Sequence, residues 1–93
     1  MKVVINRCYG GFKLSKEAYK SLGMEWDGYG YKYAKHECRT KPELIWCIEK
    51  LGTEAASGVH ASLKVVEVPD DVKWHIEEYN GLEWVAEDHR TWS

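Results

Sequence analysis

Arg7, Cys8, Gly10, Gly11 and Lys13 lie within one short stretch, where the apolar run Val3-Val4-Ile5 gives way to a helical pattern. Glycines let a backbone approach an anion closely. A helix start aims free N–H groups and the positive end of its dipole at that anion, and an arginine adds a two-pronged fork for phosphate or carboxylate. The chemistry suggested is an anion cradle: Arg7 and Lys13 on phosphate, Gly10 and Gly11 giving main-chain access, and Tyr9 and Phe12 stacking on a base. The full dinucleotide or P-loop spacing is missing. The same residues therefore also read as a plain strand-to-helix turn, with Tyr9 and Phe12 in the core.

Other reactive groups are weaker candidates. Cys8, next to an arginine and a helix start, has surroundings that lower a thiol pKa, yet no histidine can be assigned beside it, and a structural thiol is the plainer reading. His36 and Cys38 stand two apart, and His60, His75 and His89 are scattered; none of this is zinc-site spacing, so neither metal nor cofactor is expected. Glu78 and Glu83 should oppose each other beside an exposed turn, where a solvated pair is favoured over an acid/base pair. No catalytic residue is assigned. The closing Glu87-Asp88-His89-Arg90-Thr91-Trp92 brings a titratable ring, a guanidinium and an indole to a strand end. His89, Arg90 and Trp92 are read as completing a ligand pocket or docking on a neighbouring subunit, beside the plainer reading of solvated charges with one packed Trp.

Composition narrows the function classes. A chain of 93 residues with 44% hydrophobic and 30% charged residues is expected to fold as one domain, residues 1–93, without disordered segments. Its net charge of -2 lacks the positive excess of a general DNA or RNA binder. No apolar run approaches the ~20 residues of a membrane span. Three cysteines without framework spacing, and no leader pattern at the start, give the expectation of a cytoplasmic chain with reduced thiols. Five Trp and six Tyr exceed what so small a core requires, so some are expected on a ligand or subunit surface, with homo-oligomerisation the expectation.

The elements that must position these residues follow from pattern. Lys2 to Cys8 reads as a central strand covered on both faces. Ser15 caps a short helix in which Leu14, Ala18 and Leu22 share a face before Gly23. Tyr29 to Lys35, with alternating tyrosines, reads as a strand. Thr40-Lys41-Pro42-Glu43 reads as a capping box for a second helix that ends near Gly52 or continues weakly to Gly58. Leu63 to Val68 is a strand, expected parallel to the first because helices intervene, and Pro69-Asp70-Asp71 joins it tightly to another. Asn80-Gly81 is a type I′ hairpin signal that pairs Tyr79 with Leu82, Glu77 with Trp84 and Ile76 with Val85. The expectation is an α+β domain, βαβαβββ, with a mixed sheet of about five strands, two helices and a C-terminal hairpin.

Three segments carry a resemblance. Met1 to Phe12 (MKVVINRCYGGF), Leu63 to Val72 (LKVVEVPDDV) and the span from Glu78-Tyr79-Asn80-Gly81 to His89-Arg90-Thr91-Trp92 resemble small proteins encoded by tailed bacteriophages, and about two-thirds of the chain is covered. The stretch of about residues 24–39 is shorter than in longer members. The resemblance brings no catalytic motif. It implies an accessory, anti-defence role in the host cytoplasm: a non-enzymatic homo-oligomer that sequesters a cyclic oligonucleotide or ADP-ribose-like signal. In that reading Arg7, Lys13 and Arg90 bind phosphate and Tyr9, Phe12 and Trp92 stack on bases. A protein-binding inhibitor of a host enzyme and a small nucleotide-processing enzyme are the alternatives.

Overall fold

The structure, a computed structural model, describes residues 1–87. Strand β1 (Lys2–Asn6) is buried from Val3 to Asn6. A run without polar alternation suits a strand covered on both faces, and Val4 enters a core beneath the helices while Val3 and Ile5 enter a second core beneath the hairpin. Helix α1 (Lys16–Ser21) starts where expected, with Ser15 Oγ accepting the Ala18 N–H at 3.0 Å. A 3-10 turn spans His36–Cys38, and helix α2 covers Pro42–Ala56 with a break at Gly52, whose φ of 84° leaves the helical region. Strands β2 (Leu63–Glu67), β3 (Trp74–Tyr79) and β4 (Leu82–Glu87) follow.

The class is α+β, as expected, but the sheet differs. Among the described residues four strands form two antiparallel ribbons, β1 with β2 and β3 with β4, in place of one mixed sheet of about five strands. The hairpin has the expected register, with Tyr79 opposite Leu82 and Ile76 opposite Val85. β2 runs antiparallel to β1, with Asn6 opposite Leu63, and not parallel as expected. The crossover rule concerns a chain that re-enters a sheet at its far end. Here α1 and α2 form one excursion that returns to the end it left, and the Arg7 N–H donates to Ser62 O at 2.7 Å.

Tyr29 to Lys35 is a series of turns and not a strand. Gly30 and Tyr33 have φ of 90° and 67°, values an extended strand excludes. Thr40 does not cap α2 either: Lys41 holds the N-cap position without a side-chain bond, and Pro42 supplies the first turn. Among the described residues no helix is long and apolar enough to cross a membrane.

Candidate functional site

The glycine corner at the end of β1 is a packing joint. The Asn6 side chain donates from Nδ2 to Cys8 O (2.6 Å) and Gly81 O (2.7 Å) and accepts the Ser62 N–H at Oδ1 (2.9 Å), tying three segments together. A Cβ on Gly10 would lie 2.0 Å from the His60 carbonyl oxygen, and one on Gly81 would lie 2.5 Å from Tyr9 O and Gly11 N. These glycines admit protein backbone. Nor does a helix begin there, since α1 opens only at Lys16. The convergence of helix N–H groups expected at Gly10-Gly11 is therefore absent.

The expected ligand contacts separate accordingly. Arg7 donates from Nη1 to the Glu83 main-chain carbonyl at 2.7 Å. Phe12 is buried in the helix-side core with the Arg39 guanidinium 3.9 Å above its ring, so it is not a surface on which a base can stack. Tyr9 is exposed and Lys13 half-buried. His89, Arg90 and Trp92 lie outside the described residues. Cys8 is half-buried, and all three cysteines are unpaired thiols. Burial pushes the Cys47 thiol pKa up, which makes it a poor nucleophile.

Sequence reasoning missed the most constrained polar group, Arg39. It is 1% exposed and grips Glu83 with both arms, Nη1 to Oε1 at 2.5 Å and Nη2 to Oε2 at 2.8 Å. Its remaining N–H groups go to Ala34 O, at 3.2 Å from Nε and 2.8 Å from Nη2, and to Val4 O at 3.2 Å. All five guanidinium donors are thereby used. Glu83 also accepts the Asn6 N–H at 2.7 Å, so the pair closes the β1 edge that faces away from β2. Glu83 is thus buried and paired, not half of a solvated pair with Glu78. One sequence signal pointed there: Glu83 shares a hairpin face with Ile76 and Val85, and a carboxylate on an apolar face needs a cation.

A second candidate surface lies in the loop of residues 23–35, which is tied to the chain just after the glycine corner by the Leu14 N–H donating to Gly30 O at 2.8 Å. Asp27 organises it, with Oδ1 accepting the Tyr29 and Gly30 N–H groups at 2.8 and 2.9 Å and Oδ2 accepting the Tyr19 hydroxyl at 2.8 Å. The same hydroxyl accepts the Lys32 N–H at 2.9 Å. The main-chain donors hold the Asp27 carboxyl below the usual range, while burial raises the Tyr19 phenol pKa. Trp26 meets Tyr19 edge-on at 5.0 Å, and the Tyr29 and Tyr31 rings stack at 6.0 Å with a 6° interplanar angle. Tyr29 and Tyr31 remain 68% and 56% exposed, unlike packed core tyrosines.

Two hollows flank this stack. One of about 220 Å³ is lined by Lys13, Trp26, Tyr29, Tyr31, Gly58 and Val59. The other, about 450 Å³, has Tyr31, Lys32, Tyr33, Lys35, Cys38 and Lys41 in its wall. No three His, Cys, Asp or Glu side chains among the described residues are grouped to hold a metal ion. Comparison with family models, with curated proteins and with solved structures finds no match. The geometry of the aromatic loop therefore carries the functional reading.

The charge distribution favours anions at this loop. Residues 13–41 hold seven Lys and Arg against four Asp and Glu, whereas residues 43–93 hold four against eleven. With Arg39 neutralised by buried Glu83, the stretch around the exposed tyrosines keeps six Lys against four Asp and Glu, an excess of two positive charges on a chain of net charge -2.

Proposed function

We propose that this protein is a non-enzymatic binding module that sequesters a nucleotide-derived signal, of the cyclic oligonucleotide or ADP-ribose-like class, as a homo-oligomer. The carrying observation is the exposed, stacked Tyr29–Tyr31 pair, fixed by Asp27 and Tyr19 and flanked by Trp26 and Lys13. Rigid exposed rings offer π-faces to a base with little ordering cost, and a neighbouring ammonium suits a phosphate. Lys13 carries over from the cradle expected at the glycine corner, while Trp26, Tyr29 and Tyr31 take the stacking role in place of Phe12. The resemblance to small bacteriophage proteins supports an anti-defence role in the host cytoplasm.

Native mass spectrometry of the protein, with and without cyclic di- and trinucleotides and ADP-ribose isomers, tests this reading. The expected result is a defined oligomer that retains one of these ligands and releases it chemically unchanged on heat denaturation. Retention of none overturns the reading, and release of a converted product replaces sequestration with catalysis.

A further inference from the structure

We propose that Lys32, Lys35 and Lys41 form a phosphate basin in the hollow that shares Tyr31 with the aromatic hollow, so that the ligand carries a planar ring and about two negative charges of phosphate. This rests on the nucleotide reading above and specifies it.

Three observations lead there. The hollow beside Trp26 and Tyr29 is about 220 Å³, below the roughly 300–1,000 Å³ that encloses a whole drug-sized ligand, so it suits one ring. Its neighbour, about 450 Å³, lies within that range, and Tyr31 belongs to the wall of both. The shared Tyr31 makes the two hollows neighbours, which is what a ligand spanning both requires.

The second hollow is cationic. Lys32, Lys35 and Lys41 line it, all three are exposed, and none is in an ion pair among the described residues. Glu43 is the one carboxylate in the lining, and burial and then the Glu43 charge raise the Tyr33 phenol pKa. Three ammonium groups against one carboxylate leave an excess of two positive charges, which matches two phosphodiester groups or one dianionic terminal phosphate. Flexible lysine stems also suit phosphates as point charges without demanding one fixed geometry.

The backbone beneath these lysines is anchored. Lys32 N–H donates to the Tyr19 hydroxyl, and the Ala34 carbonyl accepts two bonds from buried Arg39. The basin thus hangs between the Asp27 knot and the Arg39–Glu83 pair, which reduces the ordering cost of binding.

Titration calorimetry with adenosine, ADP-ribose and cyclic di-AMP decides the matter. Wild-type protein is expected to bind ADP-ribose or cyclic di-AMP more tightly than adenosine. Lys35→Ala and Lys41→Ala should each weaken the phosphorylated ligand by about tenfold or more, the scale of one lost charge-assisted bond, and leave adenosine unchanged. Tyr31→Ala should weaken all ligands that bind. If the lysine variants hold the phosphorylated ligand as tightly as wild type while Tyr31→Ala does not, the basin is refuted and the aromatic reading stands. If wild type binds none of the three, both fall.

Discussion

Arg39 and Glu83, 44 residues apart in the chain, form a two-point ion pair in the interior, with their side chains 1% and 4% exposed. The pair fills the place of ladder bonds: Glu83 accepts the Asn6 N–H and Arg39 donates to Val4 O. Two separate ribbons are thereby joined through side chains.

Removing either partner should therefore be costly. Glu83→Leu or Arg39→Met leaves one buried charge without its counterion and is expected to lower unfolding free energy by about 3–5 kcal/mol. The double variant Arg39→Met/Glu83→Leu should cost less than the two singles added, because the uncompensated charge is gone and only neutral groups such as the Asn6 N–H stay unpaired. Urea denaturation of the four proteins gives the coupling directly. Additivity would show that the pair does not act as a unit.

Gly10 makes a second stability prediction at a site that looks like solvent-facing surface. Gly10→Ala places a methyl 2.0 Å from the His60 carbonyl oxygen, a backbone atom that cannot swing aside. The expected loss is about 1–3 kcal/mol, as for other overpacked sites. A thermal midpoint unchanged from wild type would mean that the corner opens easily, as a ligand cradle would.

Local signals were legible in the sequence and long-range ones were not. Asn80-Gly81 set the register of β3 and β4 because a type I′ turn fixes which residues face each other. Ser15 was readable as a cap because its partner is three residues away. Arg39 was not, because its partner is 44 residues away and nothing beside it in the chain announces burial. The alternation of Tyr29, Tyr31 and Tyr33 imitated a strand, but Gly30 and Tyr33 adopt positive φ and Asp27 captures the amides that a ladder would use. The glycine corner reads in the sequence as a cradle in which backbone approaches a ligand, whereas the groups that crowd Gly10 and Gly81 are His60 and the Tyr9–Gly11 backbone, partners 50 and 70 residues away that no local spacing announces.

Asp27 gives the loop a pH dependence. Its carboxyl titrates below the ordinary value of 3.8 because the Gly30 and Tyr29 N–H groups favour the charged form. A depressed folded-state pKa stabilises the fold above the unfolded value and loses that contribution as pH falls through the folded value. The Tyr29 and Gly30 amide signals should therefore shift, and their hydrogen-exchange protection fall, on acidification from about pH 5 to about pH 2. Asp27→Asn should remove this titration. The same titration persisting in Asp27→Asn would assign it to another group.

The exposed rings should matter for binding and little for stability, which separates a recognition surface from a core. Tyr29→Ala removes a side chain that is 68% exposed, so unfolding free energy should stay within about 0.5 kcal/mol of wild type. Loss of one stacking face should weaken a bound nucleotide by about 1–3 kcal/mol in calorimetry. Tyr19→Phe keeps the buried ring and deletes the hydroxyl that joins Asp27 to the Lys32 amide. It leaves Tyr29 and Tyr31 intact, yet should lower affinity by loosening their seat. Phe12→Leu should do the reverse, lowering stability through the core and the Arg39 stack while sparing the affinity. A Phe12→Leu protein that folds stably but loses the nucleotide would return the binding site to the glycine corner.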